Sequence, residues 1–194
     1  MTLDQRSPGA PSAIAFSASV LAPVGLAPVR VLRSAARAGA LGVFTARVPD
    51  PSAGQSADAG TDAATVAATD PGTVLAALAA AGVAQYGIRV ETAAALKAVS
   101  AAISGAISAA GPAPAQLIAA PAALLGAAAA VTRLKKAGVA IYAEILRWDA
   151  AAEKLAPKLA GYVLKGHECG GLVSEQTTFV LLQEARTKTD LPLL

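Results

Sequence analysis

An α/β fold of parallel strands is predicted by three observations. Short apolar runs recur along the chain, and most are followed by a stretch of helical composition, the pattern of repeated strand–helix units. Glycine stands just past four of the helical stretches, at Gly39, Gly82, Gly111 and Gly138, where it stops a helix without steric cost. The 194 residues are 55% hydrophobic but only 4% aromatic. The excess is mostly alanine, which suits helices lying close on a sheet, and the length suffices for one domain with a real core.

The elements follow in order. Residues 1–12 read as a disordered leader, and the folded domain spans 13–194, with its first strand over 12–20. A helix over 28–38 has Pro28 in its first turn and Gly39 past its end. Residues 40–45 (Ala-Leu-Gly-Val-Phe-Thr) form the second strand. Residues 50–71 are rich in Ser, Ala, Gly, Asp and Thr, lack any apolar period, and read as a flexible surface insertion. The alternation then becomes regular: helix 73–81, strand 86–90, helix 92–110, strand 116–120, helix 122–137, strand 139–146, short helix 149–155 and strand 159–164. Ser174 is the expected N-cap of a last helix running to Arg186, with Glu175 in its first turn favouring the helix dipole. Residues 191–194 (Leu-Pro-Leu-Leu) open one more strand. The pattern is therefore six strand-plus-helix units and the start of a seventh strand. Both an open doubly wound sheet and a (β/α)8 barrel lacking its end satisfy it, and periodicity does not separate them.

Charge and composition exclude several function classes. The net charge of +3 is too small and too scattered for nucleic-acid binding, and Lys135-Lys136 reads as a solvated helix end. One cysteine excludes an internal disulfide and points to a reducing, cytoplasmic setting. Residues 14–27 are apolar after a short polar start, but Asp4 in that start and the interruptions at Pro23 and Pro28 favour a buried strand over a signal peptide. Residues 98–132 carry no charge. They are broken at Gly111-Pro112, Pro114 and Pro121, so they read as helix, strand and loop and not as a membrane span.

The chemistry-bearing residues converge on 165–171 (Lys-Gly-His-Glu-Cys-Gly-Gly), which holds the only histidine, the only cysteine and a glutamate. A strand ending in a glycine-rich turn that opens a helix is where α/β proteins place a ligand, because glycine lets backbone amides approach a phosphate or a flat ring. Each sharper reading has a plainer one beside it. His167 and Glu168 could form an acid–base pair, but neighbours in sequence point apart and a water-exposed loop histidine is the plainer reading. Cys169 could be a nucleophile activated by the helix end, or simply a packed cysteine. No serine and aspartate are placed to make a triad with His167, and one His with one Cys is too few for a metal site. The loop lacks the Gly-Lys-Ser/Thr ending of a P-loop. Trp148, just past the fifth strand, reads as a packing residue that could also cover a ligand.

Residues 164–183 (Leu-Lys-Gly-His-Glu-Cys-Gly-Gly-Leu-Val-Ser-Glu-Gln-Thr-Thr-Phe-Val-Leu-Leu-Gln) resemble the flavin-dependent nitronate monooxygenase (2-nitropropane dioxygenase) family and its enoyl reductase relatives. The resemblance is strongest to members fused to polyketide or polyunsaturated fatty-acid synthases. There a Lys-Gly-x-Glu-Ala-Gly-Gly-Arg type loop precedes a helix that begins near Glu-Glu-Thr and contains Phe-x-Leu-Leu-Gln. Leu191-Pro192 fits the opening of the family's next strand, and residues 32–44 are similar to its first helix and second strand. The resemblance implies a TIM barrel holding FMN at the C-terminal ends of its strands. The cofactor-binding set it implies is Arg89, Lys165, Gly166, Glu168, Gly170 and Gly171. It also implies an acyl thioester or other small-molecule substrate and downstream synthase domains as partners.

Two departures qualify it. Nitronate-oxidising members carry a histidine base directly after Gly-Gly, where this chain has Leu172, which transfers no proton. The synthase-fused members lack that histidine too. The family's phosphate-binding turns after strands seven and eight have no counterpart in the 194 residues, so the expectation is the front part of a longer chain, inactive alone. Two other readings stay open: a docking or spacing barrel of a megasynthase that has lost its chemistry, and a doubly wound domain binding a small phosphorylated ligand at the same loop.

Overall fold

The computed structural model describes residues 19–21, 28–46, 48, 71–110, 115–126, 128–169 and 173–194. The expected leader, most of the expected first strand, the 50–71 insertion apart from Pro71, and Gly170, Gly171 and Leu172 lie outside these residues. Counting the described elements, the order is β1 (Ser19–Leu21), α1 (Pro28–Arg37), β2 (Leu41–Ala46), α2 (Pro71–Ala80), β3 (Tyr86–Val90), α3 (Ala93–Ala110), β4 (Ala115–Pro121), α4 (Ala128–Lys136), β5 (Ala140–Ile145), α5 (Ala150–Leu155), β6 (Gly161–Leu164) and α6 (Thr178–Arg186).

Local chemistry sets the ends. Gly39, Gly82 and Gly138 follow α1, α2 and α4 with φ of 71°, 67° and 75°. The next amides, of Ala40, Val83 and Val139, donate to the carbonyls of Ala35, Leu78 and Leu134, so each helix closes in a Schellman turn. Pro71 opens α2 at its first position, where its missing N–H costs nothing. Thr92 caps α3 by accepting from the Ala95 amide at 3.1 Å.

Several boundaries differ from the sequence expectation; α2 begins at Pro71, two residues before the expected start and inside the segment read as an insertion. The helix expected over 122–137 is divided into a 3-10 turn, Ala122–Gly126, and α4. Gly126, a poor helix former, sits at the division. The strand expected from 159 begins at Gly161, because the 3-10 turn Ala156–Lys158 holds the Leu159 amide on the Ala156 carbonyl at 3.1 Å. The last helix begins at Thr178, not Glu175. Thr177 caps it through the Val180 amide at 3.2 Å, whereas the Ser174 hydroxyl accepts from the Gln176 amide at 2.9 Å in a local turn.

All six strands are parallel and pair in chain order, β1-β2-β3-β4-β5-β6. A doubly wound sheet reverses its strand order once, and no reversal occurs here. On the free side of β6, the Tyr162 amide donates to Pro192 O and the Leu194 amide to Tyr162 O, both at 2.9 Å. Tyr162 and Leu193 pair in parallel, so a seventh strand begins where 191–194 is expected to start one.

The pleat sorts side chains between two faces. Phe44, Ile88, Ile118, Ile141 and Tyr162 join one core with Leu32 of α1, Leu78 of α2, Leu96 of α3, Leu134 of α4 and Leu181 of α6, so the helices cover a single face. On the other face, Leu41 and Val43 of β2 pack against Tyr142 of β5. Three strand spacings separate β2 from β5, about 14 Å in a flat sheet. Contact across that gap requires the sheet to curl, concave side away from the helices. Sequential parallel order, helices outside and a packed concave face make this the TIM-barrel winding, carried through six βα units into strand seven. Among the described residues, no helix is long and apolar enough to cross a membrane.

Two substitutions test this packing. A Cβ at Gly161 would stand 2.6 Å from the Tyr142 ring and would press on the Pro192 carbonyl, while a Cβ at Gly126 meets nothing within 4 Å. Gly161→Ala is expected to lower stability by about 1–3 kcal/mol as overpacking, with Gly126→Ala neutral or slightly stabilising. Urea midpoints of the two variants check the contrast.

Candidate functional site

The concave face turns polar at the C-terminal ends of the strands. Ile88 and Val90 point into the helix-side core, so Arg89 between them points to the barrel interior. Ala143 and Ile145 place Glu144 there by the same alternation, and Thr45 of β2 is the register neighbour of Arg89. Arg89 Nε lies 2.5 Å from Glu144 Oε1 and Nη2 lies 3.0 Å from Oε2, a forked pair that spans β4. Nη1 pairs with Glu91. The hydrogen bonding that the guanidinium donates to Glu144, the main cause, holds it above its ordinary pKa, so Arg89 stays charged. Lys165 follows β6 on the concave side, its amide continuing the ladder to Ile145 O at 3.0 Å. No ion pair engages the Lys165 ammonium among the described residues.

The loop after β6 is fastened to the start of α6. The Gly166 amide donates to Thr178 Oγ1 at 3.0 Å, and the Thr178 amide donates to Glu168 Oε1 at 2.8 Å. The His167 amide donates to Gln176 O at 2.8 Å and the Ser174 amide to Lys165 O at 3.1 Å. Gly166 is buried, and a Cβ there would lie 2.5 Å from both Glu168 Oε2 and Thr178 Oγ1 and closer still to the Thr178 amide. Only glycine fits this approach of the loop to its own helix. Glu168 is half exposed. Its own amide, then the Thr178 hydroxyl and amide, hold its carboxyl below the usual value. The α6 N-terminus thus already holds a carboxylate from the same chain.

Of the implied cofactor set, Arg89 and Lys165 stand on the concave side at the strand ends, and Gly166 and Glu168 shape the loop beside them. Gly170 and Gly171 lie outside the described residues. His167 is exposed, with Nδ1 at 3.6 Å from Glu168 Oε2. Cys169 Sγ packs at 3.7 Å from Thr178 Oγ1. Trp148 stacks edge-on against Tyr162 at 5.1 Å and donates to Glu153 at 3.1 Å, the role of a packing residue. Lys135 reaches the Pro157 carbonyl at 3.1 Å. No three His, Cys, Asp or Glu side chains converge as metal ligands among the described residues. Sequence reasoning missed Glu144. Its signal was a carboxylate inside the otherwise uncharged run Val-Ala-Ile-Tyr-Ala-Glu-Ile-Leu. A cavity of about 480 Å³ opens at the same end, between Leu146 and Arg147 after β5 and Val173 to Gln176 after β6. That volume is in the range of small-molecule sites, about 300–1,000 Å³.

No family model matches the chain, and no curated protein matches it. Solved structures share its fold. FabK from Thermotoga maritima superposes with a TM-score of 0.60 at 15% identity, covering 93% of this chain and 50% of that one. Nitroalkane oxidase from Streptomyces ansochromogenes gives 0.54 at 15% identity, over 92% and 58% of the two chains. The 7,8-dihydropteroate synthase from Vibrio fischeri ES114 gives 0.52 at 12%, over 99% and 77%. The chain spans about half the length of the FabK chains it matches.

Glu168 has a depressed pKa in the folded loop, so its contribution is present above the ordinary carboxylate value and lost as pH falls through the depressed one. Hydrogen exchange at the Thr178 amide is expected to stay protected at neutral pH and to lose protection only below the usual carboxylate range. Glu168→Gln should remove that pH dependence. Gly166→Ala should deprotect Thr178 at every pH while the exchange of β3 amides stays unchanged.

Proposed function

We propose that these six βα units belong to an FMN-dependent oxidoreductase barrel of the nitronate monooxygenase and enoyl reductase type, associated with a polyketide or fatty-acid-type synthase. The observation that carries the reading is the mouth itself. A loop of the family's pattern is fastened beside the ends of β5 and β6, with Arg89 and Lys165 on the concave side, and a cavity lined by Leu146, Arg147 and residues 173–176 opens at the same strand ends. The likeness in fold to a structure named as a nitroalkane oxidase supports the same direction.

The residues fit a flavin by the chemistry of their donors. Three of the five guanidinium N–H groups of Arg89 are engaged by Glu144 and Glu91, which leaves two without a partner among the described residues for acceptor atoms on a ring edge. Lys165 supplies a cation for the ring or its phosphate-bearing tail. Gly166 spends its amide on Thr178, so it orders the loop and leaves cofactor contact to Lys165 and Arg89. When bound and reduced, FMN supplies hydride to an enoyl or related acyl thioester. Leu172 occupies the position of the family's histidine base, which favours the enoyl reductase side of the reading over nitronate oxidation. The phosphorylated-ligand reading is disfavoured, because Glu168 already occupies the helix end such a ligand would use.

An absorbance titration tests the proposal. The purified chain is expected to retain oxidised-flavin bands after FMN addition and desalting, and Lys165→Ala to weaken retention about tenfold or more. A folded chain that retains no flavin would sink the reading for this chain.

A further inference from the structure

The Arg89–Glu144 fork has an asymmetry that an ordinary buried ion pair lacks. Side-chain exposure is 16% for Arg89 and 8% for Glu144, so the carboxylate is the deeper partner and the guanidinium the outer one. Glu144 approaches along Nε and Nη2, and Glu91, 42% exposed, takes Nη1 from the rim. Arginine on a strand end ordinarily samples many rotamers. Here two carboxylates on three nitrogens fix the plane of the guanidinium, and among the described residues one N–H on each Nη stays uncommitted. Two carboxylates also cancel the charge that would draw Arg89 to a phosphate. Lys165 carries no such partner among the described residues.

We propose that Glu144 is a positioning residue of the mouth: it holds Arg89 so that the two remaining N–H groups meet the paired acceptor atoms of an uncharged heteroaromatic edge, leaving anionic groups to Lys165. The assignment rests on the flavin reading and adds to it the residue that orients the ring and the class of edge it accepts. Substituting the partners that orient metal ligands weakens binding about 10–100-fold, and an effect at the lower end of that range is expected for a group held by an ion pair.

Binding of FMN to the full chain, followed by visible absorbance, tests this with two variants. R89M/E144M replaces the buried pair with apolar side chains, a change such pairs generally tolerate in folding. E144Q keeps the shape and removes the charge. Far-ultraviolet circular dichroism and thermal melts confirm that each variant is folded. Both are expected to bind FMN about tenfold or more weakly, with the long-wavelength flavin band displaced from its position in the unaltered chain. If R89M/E144M fails to fold, E144Q carries the test alone. If the unaltered chain takes up no FMN, the flavin reading falls and this assignment with it. If the unaltered chain binds FMN and a folded variant binds it with the same affinity and the same band, the flavin reading stands and Glu144 is overturned as a positioning residue.

Discussion

The contact of Leu41 and Val43 with Tyr142 is the constraint on which the rest depends. It joins strands that a flat sheet would hold about 14 Å apart, so it fixes the curvature. Curvature then gives the two pleat positions different fates. One set faces helices and is uniformly apolar; the other faces a narrowing interior where volume is limited. Gly161 leaves room for the Tyr142 ring, since even a methyl group would collide with it. With the lower interior filled by apolar side chains, the polar residues Thr45, Arg89 and Glu144 collect at the C-terminal rim. There the strand ends open to loops and partial hydration offsets the cost of charge.

The loop after β6 shows how a helix N-terminus can be spent on structure. A strand, a glycine turn and a helix start together suggest a backbone anion site. In this chain Thr177 and Glu168 take the first amides of α6, and Thr178 in turn holds the Gly166 amide. The arrangement trades backbone anion binding for a loop held in one conformation. Among the described residues, the mouth therefore presents side chains from strand ends more than free backbone amides. That makes Arg89 and Lys165 the groups whose orientation matters.

Much of the fold was legible because the signals are local. Glycine at 39, 82 and 138 ends helices through its own φ, and β3 was located to the residue because its apolar run is bounded on both sides. The barrel winding was not legible from periodicity, since strand order is a non-local property; it came from resemblance and is visible directly in the sequential pairing. The cap of α6 was misplaced because Ser174 and Thr177 are both competent caps, and the choice turns on the Ser174 hydroxyl closing a turn onto Gln176. Gly166 was read as clearance for a ligand, yet its neighbour is Thr178 of the same chain, twelve residues on. Glu144 escaped notice because its partner lies 55 residues away and no local rule pairs them.

The composition of the mouth bears on which half of the resembling family's chemistry it suits. Oxidising a nitroalkane calls for a base to remove a proton from carbon. Reducing an enoyl thioester calls for hydride at one carbon and a proton delivered to its neighbour, which needs a donor. The described mouth offers the ammonium of Lys165 and the remaining N–H groups of Arg89. Its buried carboxylate, Glu144, is committed to a guanidinium. His167, the only imidazole, rests against Glu168 on an exposed part of the loop. In sequence Leu172 follows the paired glycines; among the described residues the cations at the mouth are Lys165 and Arg89, and the carboxylate of Glu175 lines the cavity beside the strand ends. Under the proposed function, the ammonium of Lys165 and the guanidinium of Arg89 would stabilise negative charge developing on a reduced acyl thioester, the role donors play at a site where charge forms.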